Sequence, residues 1–311
     1  MIAAWLAWSL SFGGEVGDAT SEPLVDAVGA DRAKDGGPKG GGGKGGGNGG
    51  GKGGGKGGGK GDGEGKGGKG GKGKKDKDPT VGPFKKDKYP TQAIYRPLTA
   101  PKGMAEVTVD LGLVHADFGG ATADAVGAGL GVRYGITDEV TVRAASAFVL
   151  SPNAAWGEVI VVGGSFLAHD SSELDVAAGL DLDLSLADGG VHVLHMHADT
   201  RYLVADKVYV FGGHNLLNVG LSDPLSLSTS VAGGVGYQFS DTVAGTLRTT
   251  LLTVGWTPSI TALWWADFIP VDVGVLAAVS RDIDVFASVG LGDLLHPDTV
   301  IWANVGANFR F

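Results

Sequence analysis

Six ionisable residues, spaced two positions apart in two neighbouring segments, form the chemically most suggestive group in the sequence. They are Asp181, Asp183, His195, His197, Asp199 and Arg201. Because side chains two positions apart on a β-strand share a face, all six would line one face of a strand pair. Such groups could line a path for ions, respond to pH or hold a divalent metal. We favour a hydrogen-bonded ladder that satisfies polar side chains, and we predict no metal site and no cofactor.

Both segments belong to a longer pattern of alternating apolar and polar residues. In residues 173–186 the apolar positions are Leu174, Val176, Ala178, Leu180, Leu182, Leu184 and Leu186. Twelve such segments follow one another, near 105–116, 123–134, 139–150, 158–168, 173–186, 191–204, 207–213, 225–239, 243–254, 270–279, 283–291 and 299–311. No run of 18 apolar residues offers a spanning helix, so a closed barrel is the remaining way across a bilayer.

The connections between these segments alternate in length. Every second one is short and polar, as in Ser240-Asp241-Thr242, whereas the others include the longer stretches 214–224, 255–269 and 292–298. This arrangement resembles that of bacterial outer-membrane β-barrels, and the resemblance implies that the short turns are periplasmic. The predicted fold is all-β: an antiparallel up-and-down transmembrane barrel of about 12 strands in residues 101–311. A soluble β-sandwich is the alternative.

The register of the hairpins follows from the turns, since paired residues must share a face. The turn at 240–242 pairs Val235 with Leu247, and the turn at 280–282 pairs Val275 with Ala287. A three-residue loop at 188–190 would pair Leu182 with Met196 and Leu184 with Leu194. The same register would set Asp183 opposite His195 and Asp181 opposite His197.

Aromatic residues cluster at the two ends of the predicted strands, where a barrel carries its interfacial girdles. Those near the short turns are Tyr134, Tyr202, Tyr237, Phe239, Phe309 and Phe311, and those near the loops are Phe148, Trp156, Trp256, Trp264 and Trp265. The last segment resembles the C-terminal assembly signal of outer-membrane proteins, which implies that Phe309 and Phe311 are recognised by the barrel assembly machinery.

The chain before the barrel is divided into two predicted parts. Residues 1–19 are a predicted signal peptide, since a short apolar run is followed by small residues, although the usual basic residues are missing. Residues 20–100 are a predicted disordered periplasmic extension, Gly/Lys-rich at 36–78 and Pro-containing at 79–104 as an extended lead-in. Residues 36–78 hold 11 lysines and four carboxylates, a net charge of +7. A solvated linker, or contact with peptidoglycan or another anionic envelope polymer, is favoured over nucleic-acid binding.

The predicted function is passive: a narrow porin-like pore or a structural protein of the Gram-negative outer membrane, in contact with its lipid. Small residues on the lumen face of two strands, such as Gly234 and Gly236, favour a pore because they leave interior space. A barrel-embedded hydrolase or acyltransferase and a non-conducting adhesin or anchor are the alternatives. We expect no enzyme, because Gly163-Gly164-Ser165-Phe166 lacks the helix that a nucleophile elbow opens.

Overall fold

The computed structural model of the chain describes residues 88–117, 122–151, 155–186, 189–221, 225–257, 260–265, 269–294 and 300–311. These residues form a short 3-10 helix, Ala93–Tyr95, and thirteen strands. The strands are β1 (Ala105–Asp117), β2 (Thr122–Gly135), β3 (Val140–Ser151), β4 (Ala155–Asp170), β5 (Leu174–Ser185), β6 (Val191–Ala205), β7 (Val208–Gly220), β8 (Ser226–Gln238), β9 (Val243–Thr257), β10 (Ile260–Trp265), β11 (Val271–Ala278), β12 (Ile283–Leu291) and β13 (Val300–Arg310). In the described part of the chain, no helix is long and apolar enough to cross a membrane.

The strands close into one antiparallel barrel with twelve positions around it. Each strand pairs with its neighbour in the chain, and β13 pairs with β1 from Glu106↔Arg310 to Ala116↔Val300. Strands β10 and β11 share one position, because both pair with β9, at its loop end and its turn end respectively. The predicted barrel is confirmed, and the sandwich alternative is excluded because the first and last strands pair along their length.

The two faces of the barrel are inverted relative to a soluble protein. On the outer face Leu111 and its neighbour Val305 are 51% and 55% exposed. On the inner face Asp181 and Asp284 are 1% and 0% exposed. This distribution confirms the prediction that apolar side chains face outward and polar side chains face the lumen.

The aromatic girdle at the turn end is confirmed by exposure. Tyr134, Tyr202, Tyr237, Phe239 and Phe311 are each more than 40% exposed on the outer surface near the short turns. Phe309 is only half-buried there. At the loop end, the side chains of Trp156, Trp264 and Trp265 lie outside the described residues, so that girdle stays a prediction.

The predicted register is correct at the short turns and wrong at one loop. Val235 pairs with Leu247 and Val275 with Ala287, as the turns indicate. Between β5 and β6, however, Leu182 pairs with Leu194, which is two residues from the predicted partner. The cause is a longer loop that begins after Ser185, contains Gly189 with a positive φ of 68°, and is accompanied by a bulge between Asp183 and Leu184. A shift of two positions keeps every side chain on its face.

Two of the predicted long loops contain ordered strand. β7 continues to Gly220 instead of ending at 213, with a bulge between Asn215 and Asn218 where it pairs with β8. Residues 260–265 of the expected loop 255–269 form β10. The barrel wall is therefore taller on this side than the sequence indicates.

Residues 88–104 differ most from expectation. The sequence predicts an extended lead-in outside the barrel, but Tyr89, Ile94, Ala100 and Met104 are buried at its turn end. Apolar side chains account for this placement, since Ile94 packs against Tyr209 inside the barrel. Residues 1–87, with the predicted signal peptide and the Gly/Lys-rich region, lie outside the described residues.

Candidate functional site: a polar lumen and its covered end

The six residues that the sequence singles out all lie on the lumen face of β5 and β6, and all six are buried. The two predicted histidine–carboxylate contacts are present. His195 Nε2 is 3.1 Å from Asp183 Oδ2, and His197 Nε2 is 3.2 Å from Asp181 Oδ2. They are diagonal contacts, because the backbone sets Asp181 opposite His195 and Gly179 opposite His197. The predicted backbone pairing is therefore wrong, although the side-chain partners are those expected.

Glycine makes the diagonal contact of His197 possible. A Cβ atom at Gly179 would collide with the imidazole ring of His197. The ring thus lies across the neighbouring strand, where its Nε2 reaches Asp181 while its Nδ1 remains 3.2 Å from Asp199. A side chain at position 179 would push the ring away from both carboxylates.

An arginine that sequence reasoning missed completes this contact group. Arg143 extends from β3 over β4 and holds Asp181 with both ends of its guanidinium, with 2.9 Å between Nε and Oδ1. Gly163 of β4 lies under this bridge, since a Cβ atom there would collide with Asp181. The charged pair is bidentate, a geometry that strengthens Arg–carboxylate interactions. The sequence did contain a signal for this contact, because Arg143 alternates with the outward-facing residues of β3 and so must face the lumen.

A second chain of polar contacts continues from Asp183 around the wall. His195 Nδ1 is 2.8 Å from Asn218 Oδ1, and the Asn218 amide donates to Ser228 Oγ at 3.3 Å. We call the two chains together the polar ladder; its members are Arg143, Asp181, Asp183, His195, His197, Asp199, Asn218 and Ser228. The sixth predicted residue, Arg201, instead pairs with Asp175 nearer the turn end.

Replacing Gly179 with alanine is expected to destabilise the barrel by about 1–3 kcal/mol through overpacking. The added methyl group would overlap His197 and lie 2.8 Å from the Gly164 carbonyl oxygen. Gly131→Ala is the matched control, because a Cβ there meets only Thr108 Cβ at 3.6 Å and Ala145 Cβ at 3.9 Å. Urea unfolding in detergent micelles gives both midpoints. Equal midpoints would contradict the described position of His197.

The turn end of the lumen is covered by residues 88–104, which we call the mouth segment. It crosses from one wall to the other: Gln92 Nε2 donates to Asp241 Oδ1 at 2.7 Å, and the Ala100 N–H donates to Thr141 Oγ1 at 2.7 Å. Asp241 lies in the β8–β9 turn and Thr141 in β3, about half the circumference away. The segment therefore spans the barrel at this end.

A charged cluster fixes the middle of the mouth segment. Arg96 donates to both oxygens of Asp284, at 2.6 and 2.8 Å, and Arg310 contacts the same carboxylate. Arg310 also pairs with Glu106, whose other oxygen is 2.8 Å from Arg133. We call this group the mouth cluster; its members are Arg96, Glu106, Arg133, Asp284 and Arg310, together with Tyr89. The Tyr89 ring lies 4.6 Å from the Arg310 guanidinium. Alternating cations and carboxylates are each satisfied by a neighbour.

Apolar contacts add to this attachment. Ile94 packs against Tyr209 and Phe211, and the adjacent Ala93 packs against Leu276 and Phe286. Burying a side chain such as Ile94 contributes about 1.5–3 kcal/mol. The mouth segment is thus held by both charge and apolar burial.

The described residues offer no group of three or more His, Cys, Asp or Glu side chains that could hold a metal ion. What they do define is a class of protein: a closed barrel with an apolar outer face, an aromatic girdle and a polar lumen.

Comparisons with known proteins agree with this class. No family model and no curated protein sequence matches the chain. The fold is similar to that of an outer-membrane channel from Pseudomonas putida F1, with a TM-score of 0.50 and 11% identity over 68% of this chain and 97% of the channel. The NanC porin (TM-score 0.49, 10% identity, 66% and 100% covered) and the KdgM porin with disordered oligogalacturonate (0.45, 13%, 66% and 99%) are also found. At these identities the similarity concerns the fold.

Proposed function

We propose that the protein is a narrow passive pore of the outer membrane, with its turn-side mouth covered by its own mouth segment. The observation that carries this proposal is the polar lumen, in which carboxylates, arginines and histidines line the inner face of a barrel whose outer face is apolar. The fold shared with an outer-membrane channel is consistent with this function.

The arrangement of large side chains also favours a pore, although not for the reason that the sequence suggests. Gly234 and Gly236 do not simply leave space, because the rings of Phe211 and Tyr209 lie over them. Rings that lie along the wall do not project across the lumen. The polar ladder runs along the wall from strand to strand between β3 and β8, whereas the mouth segment, among the described residues, crosses the lumen between Thr141 and Asp241.

An enzymatic role is less well supported by the polar ladder. A nucleophilic serine needs a base beside its hydroxyl, whereas the described partner of Ser228 is the Asn218 amide, which is not a base. His195 points its Nδ1 at that same amide group instead of at Ser228. We therefore assign the ladder to the wall of the pore.

Location and partners follow from the same proposal. The turn end, with the mouth segment, faces the periplasm, and the preceding Lys-rich residues 36–78, with a net charge of +7, serve there as a solvated linker or contact peptidoglycan or another anionic envelope polymer. Phe311 is 60% exposed where the first and last strands meet, and its backbone pairs with that of Ala105. Phe309 and Phe311 are accordingly proposed as the residues that the assembly machinery recognises.

Planar lipid bilayers test the pore directly. The refolded full chain is expected to produce discrete conductance steps that grow with salt concentration, since ions would cross a water-filled lumen. Protein that was heat-unfolded before addition serves as the control. If correctly folded barrels insert but give no steps, even after removal of residues 88–100, the pore is contradicted and a structural or adhesive role is supported.

A further inference from the structure

A second polar cluster lies in the lumen, on strands that the polar ladder does not reach. Asp272 of β11 is directly opposite Arg248 of β9. The same carboxyl group accepts hydrogen bonds from the Ser288 hydroxyl of β12 and from the indole N–H of Trp302 on β13. We call these four residues the tryptophan site. Since β12 lies half the circumference from β5, the site is on the wall opposite the polar ladder.

A glycine allows Trp302 to reach this carboxyl group. Gly290 of β12 is directly opposite both Asp272 and Trp302 on the two adjacent strands. A Cβ atom at Gly290 would collide with the indole, so the ring lies over the backbone of β12, beside Val114. Because Trp302 is half-buried and alternates with outward-facing residues of β13, its remaining surface is open to the lumen.

Access separates the tryptophan site from the polar ladder. Its four members are all half-buried, so each keeps surface that water in the lumen reaches. In the ladder, by contrast, Asp181, Asp183 and His195 are buried. A solute in the lumen can therefore touch the tryptophan site directly, whereas most of the ladder is closed to it.

The chemistry of the tryptophan site fits a neutral sugar. The indole supplies a flat apolar surface, on which the C–H face of a pyranose ring can lie. The Arg248 guanidinium offers only N–H donors and the Asp272 carboxyl group offers oxygen acceptors, so hydroxyl groups at the ring edge find both kinds of partner. Arg248 and Asp272 also face each other, so the site presents no single unshared charge to a solute. Sites for small molecules combine aromatic surface with a few polar groups in this way.

We propose that the tryptophan site binds a neutral pyranose sugar in the lumen, with the sugar ring on Trp302 and its hydroxyl groups on Arg248 and Asp272. This inference rests on the proposed pore function and adds a class of solute to it. Asp272 also positions the indole, because it accepts the hydrogen bond of the indole N–H.

Block of the single-channel current by maltotriose tests the proposal on the full chain. The sugar should interrupt the ion current of the wild-type pore, because a bound ring occupies the lumen beside Trp302. Trp302→Ala should raise the half-blocking concentration by about tenfold, through loss of the aromatic surface. Trp256→Ala should leave it unchanged and is the matched control, since Trp256 of β9 pairs with Leu227 on the outer face. Block is measured only on channels that conduct, so misfolded protein does not contribute.

The outcomes distinguish the sugar site from the pore itself. Conducting channels that maltotriose does not block, or equal block of wild type and Trp302→Ala, would overturn the site while leaving the pore intact. Stronger block by trigalacturonate, which has the same number of rings but is anionic, would overturn the assignment to a neutral sugar. Absence of any conductance would instead overturn the pore.

A comparison on the wild-type chain alone requires no variant to fold. A polyethylene glycol of the same mass as maltotriose should block much less, because it has no ring to lie on the indole. Equal block by the two solutes would mean simple obstruction of the lumen and would contradict the tryptophan site.

Discussion

Removal of residues 88–100 is expected to raise the single-channel conductance several-fold. The deletion removes the connection between Asp241 and Thr141 across the turn end, together with Ile94 and Arg96. Residues 102–104, which contact Gly135 at the end of β2, are kept so that the first strand begins normally. Conductance of single insertions in planar bilayers at molar salt is the measurement.

The barrel should tolerate this deletion. Asp284 keeps Arg310 after Arg96 is lost, and Glu106 keeps both Arg310 and Arg133, so no buried carboxylate becomes unpaired. The cost is the exposure of apolar surface around Tyr209 and Phe211 to the water of the lumen. Circular dichroism and heat-modifiable migration on gels would establish that the deleted protein is a folded barrel.

A second deletion separates the mouth segment from the chain before it. Removing residues 36–78 shortens the protein more but leaves every described contact of the mouth segment in place. At molar salt, this variant should conduct like the full chain, since charge effects of the lysines are screened. If both deletions conduct equally, the mouth segment does not limit the pore.

The sequence predicts the barrel well because its wall obeys a local rule. Alternation of side chains along a strand is a property of the strand itself, so Leu174 to Leu186 identify both the strand and its outer face. Tight turns extend this rule to the neighbouring strand, as Val235 and Leu247 show. It fails after Ser185, where a longer loop and a bulge change the register without changing the faces.

The position of the mouth segment, and the side-chain contacts that cross a neighbouring strand at a glycine, could not be predicted in the same way. Tyr89, Ile94 and Met104 follow no strand or helix period, so their burial depends on surfaces from distant strands. Arg143 and Asp181 are separated by a whole strand, and their contact depends on Gly163 between them. Contacts of this kind follow from the closed shape of the barrel and leave no pattern in a single segment.

Leu111→Arg is expected to prevent assembly of most of the protein in lipid vesicles. Leu111 is at the centre of β1 and 51% exposed on the outer face, between Val305 and Ala128 on the adjacent strands. An arginine near the midplane of the bilayer costs about 2–4 kcal/mol on this face. The folded fraction, measured by gel migration without heating during a urea titration, should fall accordingly.

Three controls isolate the effect of that charge. Leu111→Ala removes the leucine without adding charge and should cost less than Leu111→Arg. On the lumen face, Asp183→Asn keeps shape and polarity, and Gly131→Ala adds a methyl group where the nearest atom is 3.6 Å away, so both should assemble almost normally. Gly234→Ser would not serve, because the Phe211 ring lies over that glycine. If the two lumen variants assemble worse than Leu111→Arg, the inner and outer faces of the barrel have been assigned the wrong way round.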